Sequence, residues 1–151
     1  MRLITASKVQ ELTGLSADQL REWTHRRELI KPDEQPHGPG SRARYSWQTV
    51  LLLRLAVVLK ETFHVELQAQ RELFQHLANS LARKSFPALR GSALVIQAGT
   101  GHEIITSTEI RLVHKDSLII WLDPHLDILS ASFGLADTTA QLPLFAAMAV
   151  K

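Results

Sequence analysis

The run VLLLRLAVVL at residues 50–59 places one charge, Arg54, among nine apolar side chains. A segment of this length is too short to cross a hydrocarbon core of about 30 Å. Read as a helix it is apolar nearly all round, and such a helix has to be contacted on several sides. The rest of the chain must therefore supply elements that wrap it. Ser46 is placed to cap its N-terminus, and the helix is predicted to run to about Thr62.

Upstream of this run the sequence reads as two short helices. Thr5 or Ser7 can cap the first, whose apolar positions Ala6, Val9 and Leu12 recur every three residues. Gly14 sits where a helix ends in a left-handed residue. In the stretch GLSADQLREW, Ser16 and Gln19 have the spacing of a capping box, and Leu15 and Leu20 the spacing of a hydrophobic staple. Leu20 and Trp23 share one face, so Trp23 is assigned to the core. Two helices joined through Thr13-Gly14-Leu15 make a helix-turn-helix. Pro32 ends the unit, and DEQPHGPGSRAR (33–44) reads as an exposed loop or short hairpin. A fourth helix is predicted from near His64, with Val65, Ala69, Leu73 and Leu77 on one stripe and Leu67, Phe74 and Leu81 beside it, ending before Pro87.

After Arg90 the composition shifts to short β-branched runs: ALVIQ, EIITS, EIRLV, SLIIWL and DILSASF. The expected class is α+β, with residues 1–90 forming a helical unit and residues 91–151 a small strand-rich segment. Charge divides the same way. Residues 1–60 carry ten Lys and Arg against six Asp and Glu, whereas residues 91–151 carry three against six. A basic front joined to an acidic back suggests that the front meets a polyanion.

Several chemistries find no support in the residues. The chain has no cysteine, which removes disulfides, thiolate nucleophiles and cysteine-based metal sites. Its seven histidines show no HExxH or His-x-His spacing, so no metal site is expected. Asp123-Pro124-His125 followed by Asp127 lacks an accompanying nucleophile and reads as a turn. Helix capping already accounts for Ser7 and Ser46. No catalytic residue, cofactor, ligand pocket or membrane partner is expected. With no signal-peptide core at the N-terminus, a soluble cytoplasmic protein is the default reading.

The segment from Ile4 to about Leu77 resembles the DNA-binding domain of MerR-type transcription regulators. The matching pieces, in order, are ASKVQELTGLS, LREW, LIKP, RYS and TFHVEL. The resemblance implies a winged helix-turn-helix and a homodimer that binds pseudo-palindromic double-stranded DNA, in some cases acting together with RNA polymerase. It places the second helix in the major groove and the loop before the third helix on the backbone as a wing. Carried over by position, Ala17, Asp18 and Gln19 would face base edges, Arg21 would meet a phosphate, and Arg42, Arg44 and Tyr45 would belong to the wing. Gln19 has two competing roles, an adenine contact and the capping box. Arg26, Arg27 and Lys31 form a basic cluster that complements a helix C-terminus and can also reach the DNA backbone.

The chain departs from the family pattern at specific places. Glu22 stands where a phosphate-touching tyrosine is common, Glu28 where a glycine precedes LIKP, Ala43 where a wing arginine is usual, and Thr62 where a glycine precedes the fourth helix. The second helix reads as one residue longer. The apolar stripe of the fourth helix stops near Leu81 or Leu89, short of a long pairing helix, so residues 91–151 are a candidate for dimerisation. Two other readings share the fold: a protein-interaction module like chaperone modulators, and an excisionase-like or architectural DNA binder.

Overall fold

A computed structural model describes residues 2–97 and 101–135 of the chain. It divides into two compact units, Met1–Arg83 and Lys84–Lys151, seven residues before the boundary expected from composition.

In the first unit a two-residue strand β1 (Ile4–Thr5) leads into α1 (Ala6–Thr13), α2 (Ala17–Arg21), β2 (Arg44–Tyr45), α3 (Trp47–Val57) and α4 (Arg71–Ala82). Helix α3 is the long apolar run. Leu51, Leu52 and Leu53 occupy successive positions about 100° apart on a helix, and all three are buried, as are Val50, Leu55, Ala56 and Leu59. The helix thus has almost no solvent face, and α1 and α4 pack against it. Each fully buried leucine contributes on the order of 1.5–3 kcal/mol relative to exposure. The one charge in the run is half-buried, and the Arg54 guanidinium donates to the carbonyl oxygen of Leu12 in the last turn of α1. The arginine thus satisfies one of the carbonyls that a helix end leaves without an intrahelical partner.

Local signals fix where each helix starts. The Thr5 hydroxyl accepts from the Lys8 amide at 3.4 Å and caps α1. Gly14 ends α1 at φ 77°, a left-handed conformation that glycine adopts without strain. The capping box of α2 is complete, with the Gln19 amide donating to Ser16 Oγ at 3.1 Å and the Ser16 amide donating to Gln19 Oε1 at 3.0 Å. Leu15 and Leu20 are both buried. Ser46 caps α3 by accepting from the Thr49 amide at 3.3 Å.

Both α2 and α3 end in a wider turn. Residues Glu22–Arg26 and Val58–Thr62 are π-helical, with the Arg27 amide donating to the Glu22 carbonyl at 2.9 Å and the Phe63 amide to that of Val58 at 3.3 Å. A π-turn closes its hydrogen bond across one more residue than an α-turn does. After the first of these turns the chain folds back, the Leu29 amide donating to the Trp23 carbonyl at 2.9 Å. Glu28 makes that reversal with φ 48°, which explains why a glycine suits this position. The second non-glycine residue with positive φ is His64 at 54°, not Thr62, which lies inside the π-turn.

That helix also begins later than predicted. A 3-10 turn at Leu67–Gln70 precedes α4, and the segment from His64 to Glu66 is not helical. Leu67, Leu73, Phe74, Leu77 and Leu81 are buried as expected, whereas Ala69 is exposed because it belongs to the 3-10 turn and not to the α4 stripe.

The second unit is built on a three-stranded antiparallel sheet ordered β4 (Gly101–Thr106), β3 (Ser92–Gln97), β5 (Ser117–Trp121). Ala93 faces Ile105 on one side and Trp121 on the other. Two sequence runs read as strands are helical instead. EIRLV forms a 3-10 turn at Glu109–Leu112, and DILSASF lies in helix α5 (Asp123–Phe133). In the latter, Leu126, Leu129 and Phe133 are buried at helical spacing, a period of three to four that β-branched composition had masked. Asp123-Pro124-His125 is the first turn of α5, not a free-standing turn. Asp123 and Asp127 both approach Arg90, at 3.8 and 2.6 Å, and the Asp123 carboxylate accepts from the Gly91 amide at 3.0 Å. A proline in the first helical turn has no amide to leave unsatisfied there.

The left-handed Glu28 yields a direct test. Non-glycine residues in that region cost roughly 1–2 kcal/mol, partly offset by the greater freedom of glycine in the unfolded chain. Glu28→Gly is expected to raise the urea midpoint, corresponding to a gain of about 0.5–1 kcal/mol. Glu28→Val should lower it.

Candidate nucleic-acid interface

The exposed side of the second helix carries the residues the sequence singled out. The capping box fixes the start of α2, and Leu20 and Trp23 turn one face inward. Ala17, Asp18 and Arg21 are consequently exposed. Arg21 lies 3.7 Å from Asp18, one turn earlier, with both side chains more than half exposed. An ion pair this open is worth about 0–1 kcal/mol, so either partner is free to change partners. Gln19 is half-buried and its side-chain oxygen is committed to the Ser16 amide. Its capping role is therefore realised.

Downstream, the π-turn gathers charge. Arg26 Nη1 sits 3.0 Å from Glu22 Oε2, and Arg27 Nε sits 3.0 Å from Glu22 Oε1. Hydrogen bonds from Arg26 and then from Arg27 hold the Glu22 carboxyl below the ordinary glutamate value. The backbone of Arg27 is itself held, because the Arg71 guanidinium donates to its carbonyl oxygen. A shallow depression of about 270 Å³ opens here, its lining including Gln19, Glu22, Trp23, Arg26, Arg27 and Lys60. Lys60 lies 5.6 Å from the centroid of the Trp23 ring, a cation–π distance. This lysine was not among the sequence candidates. The only hint of it was its position in the last turn of the long apolar helix.

Lys31 does not join that group. It is exposed and lines a different cavity of about 350 Å³ with Glu28, Leu52, Phe74, Ala78 and Asn79. No local signal marks this cavity, since its lining comes from three separated segments.

The second arginine-bearing element is the loop at residues 33–44. It is a hairpin closed at its base, where the Asp33 and Glu34 amides donate to the Arg44 carbonyl at 3.0 and 3.2 Å and the Arg44 amide donates to that of Glu34 at 3.1 Å. The outer edge of β2 thus meets residues 33–34, and the other pairs with β1, Thr5 opposite Arg44 and Ile4 opposite Tyr45. The Ser46 amide donates to Asp33 Oδ2 at 2.6 Å, joining the hairpin base to the cap of α3. At the tip, Gly38 and Gly40 take φ values of 124° and 85°, and the Ser41 hydroxyl donates to the Gly38 carbonyl at 3.0 Å. Arg42 and Arg44 are exposed, while Ala43 between them is buried, as alternation along an extended strand requires.

Tyr45 corrects the sequence reading. The resemblance makes it part of the DNA-contacting wing, but it is 1% exposed and hydrogen-bonded to Thr24. It follows Arg44 by one position, so the same alternation that exposes the arginine turns the tyrosine inward. Tyr45 is a core residue that ties β2 to the second helix.

Among the described residues no group of three or more His, Asp or Glu side chains is placed to hold a metal ion, and no helix is long and apolar enough to cross a membrane. The fold of the first unit and its exposed second helix define a helix-turn-helix protein. Residues 4–77, which run from β1 into α4, match the family described as MerR HTH family regulatory protein, and this N-terminal segment is a MerR-type helix-turn-helix domain. That is a family of DNA-binding regulators, not in general of enzymes. No curated protein matches the chain.

Tyr45 is the only tyrosine in the sequence, so its ionisation can be followed alone. Burial raises its pKa above the ordinary phenol value. The folded state then holds the phenolic proton at pH values where the unfolded chain, at about 10, has begun to lose it. Stability from this group is full below that pH and is lost as pH rises. Phenolate absorbance is expected to appear above pH 10, and to move down to the ordinary value in denaturant.

Proposed function

We propose that this protein is a sequence-specific transcription regulator that binds double-stranded DNA through α2 and the hairpin at residues 33–44. The observation carrying this reading is the exposed face of α2 inside a matched MerR-type domain. In this reading Ala17 and Asp18 approach base edges in the major groove. Gln19, although engaged in the cap, keeps its amide nitrogen for an acceptor on a base. Arg21 meets a phosphate. The hairpin acts as a wing, with Arg42 and Arg44 on the backbone. Arg26 and Arg27 add cations at the end of the helix, and Lys31, beyond the chain reversal, adds an exposed cation apart from them.

Such binding is expected to use a homodimer on a pseudo-palindromic site. Among the described residues β5 is an outer strand, carries no charge, and ends in a half-exposed Trp121. An uncharged outer strand is suited to pairing with another. This supports assembly through residues 91–151. RNA polymerase is a further expected partner at a promoter, and the protein would then work in the cytoplasm on the nucleoid.

The test is selection of sites from random duplexes followed by a salt titration of binding. A palindromic site and a steep salt dependence are expected. Arg42→Ala should weaken binding to all duplexes similarly and reduce the slope of log K against log salt by about one unit. Failure to bind any duplex at moderate salt would reject the reading. Recovery of one abundant protein partner from nuclease-treated extract, with no duplex bound, would instead indicate an interaction module.

A further inference from the structure

In a regular α-helix the residue four positions on lies near its starting residue, while the residue five on is turned about 140° away. One glutamate therefore cannot ordinarily hold both. The π-turn at Glu22–Arg26 changes this: Arg26 and Arg27 both reach Glu22, and each guanidinium binds a different carboxylate oxygen at 3.0 Å. All three side chains remain open to solvent, with 31% of Glu22, 64% of Arg26 and 48% of Arg27 exposed. The cluster is thus two cations converging on one anion, accessible from outside, in a depression that Lys60 also lines.

We propose that Glu22 occupies the place of a DNA phosphate in an anion site built by Arg26 and Arg27, so that contact with the duplex backbone here is an exchange of one anion for another. The proposal rests on the DNA-binding reading and adds a resident competitor to it. Carboxylate and phosphate are interchangeable partners for a guanidinium, since both accept its paired N–H bonds. An exposed ion pair is labile enough for the exchange to occur. The outgoing carboxylate stays tethered nearby, where it repels the incoming phosphate. Because phosphate contacts carry no sequence information, Glu22 weakens binding to every duplex alike. A site is then held at cellular salt only when base contacts add to the backbone contacts.

The test compares the full-length protein with Glu22→Gln, Glu22→Ala, Arg26→Ala/Arg27→Ala and the combined Glu22→Gln/Arg26→Ala/Arg27→Ala variant. Binding is measured on a random 30-base-pair duplex and on a selected site across a salt series. Circular dichroism melts verify folding. Both Glu22 variants are expected to bind the two duplexes roughly three- to tenfold more tightly at about 0.1 M salt, with a slope steeper by about one unit. Without the two arginines, the Glu22→Gln gain should vanish. An unchanged or weakened Glu22→Gln protein would overturn the proposal, as would a gain that survives loss of both arginines. A changed preference among sequences would overturn it too, because Glu22 would then be reading a base. Wild-type binding with no Glu22 effect rejects this proposal alone, whereas absence of duplex binding in every variant rejects it together with the DNA-binding reading.

Discussion

A helix without a solvent face dictates the arrangement of the first unit. Because α3 buries residues around almost its whole circumference, α1 and α4 have to lie against it, and their own apolar faces are set by that contact. Its single charge becomes a structural link, since Arg54 reaches the open end of α1 instead of water. Replacing any of the fully buried leucines by alanine would be expected to cost about 2–5 kcal/mol, a large share of the total stability of a domain this size. The candidate interface is what remains outside that core.

Around this helix the polar network does the positioning. Ser46 bonds through its hydroxyl to α3 and through its amide to Asp33, so the start of the central helix and the base of the arginine hairpin are one joint. Tyr45 lies next to it in sequence and reaches Thr24, in the second helix, from the same strand. Thr24 in turn donates to the Leu20 carbonyl at 2.7 Å. Two neighbouring buried residues, Tyr45 and Ser46, thus connect hairpin, central helix and second helix. The arginines on either side of Ala43 are displayed because this strand is anchored.

Much of the first unit was legible in the sequence because its signals are local. A glycine at a helix end, a Ser-x-x-Gln pair and a serine before an apolar run each act within four residues, and each appears in the structure where the residues place it. What was not legible depends on contacts between distant segments or on period. The resemblance makes Tyr45 a wing residue, although strand alternation from Arg44 points it inward. The fourth helix was started early because Val65 and Ala69 fit its stripe, while the left-handed His64 and a 3-10 turn intervene. DILSASF was read by composition and not by spacing, which hid α5. For the candidate site, exposure of Ala17, Asp18 and Arg21 could be foreseen from the inward face of Leu20 and Trp23. The meeting of Arg26 and Arg27 on Glu22 could not, since nothing in the residue types announces a π-turn.

That turn also bears on how this chain is lined up with any other. Inserting one residue into a straight helix would rotate everything beyond it by about 100°, whereas a π-turn widens the helix locally, and Leu29 and Ile30 beyond it are buried. Side chains within the turn thus sit at angles that a regular α-helix would not give them. Roles assigned through Glu22–Arg26 by helical spacing alone therefore have to be read again from the bulge.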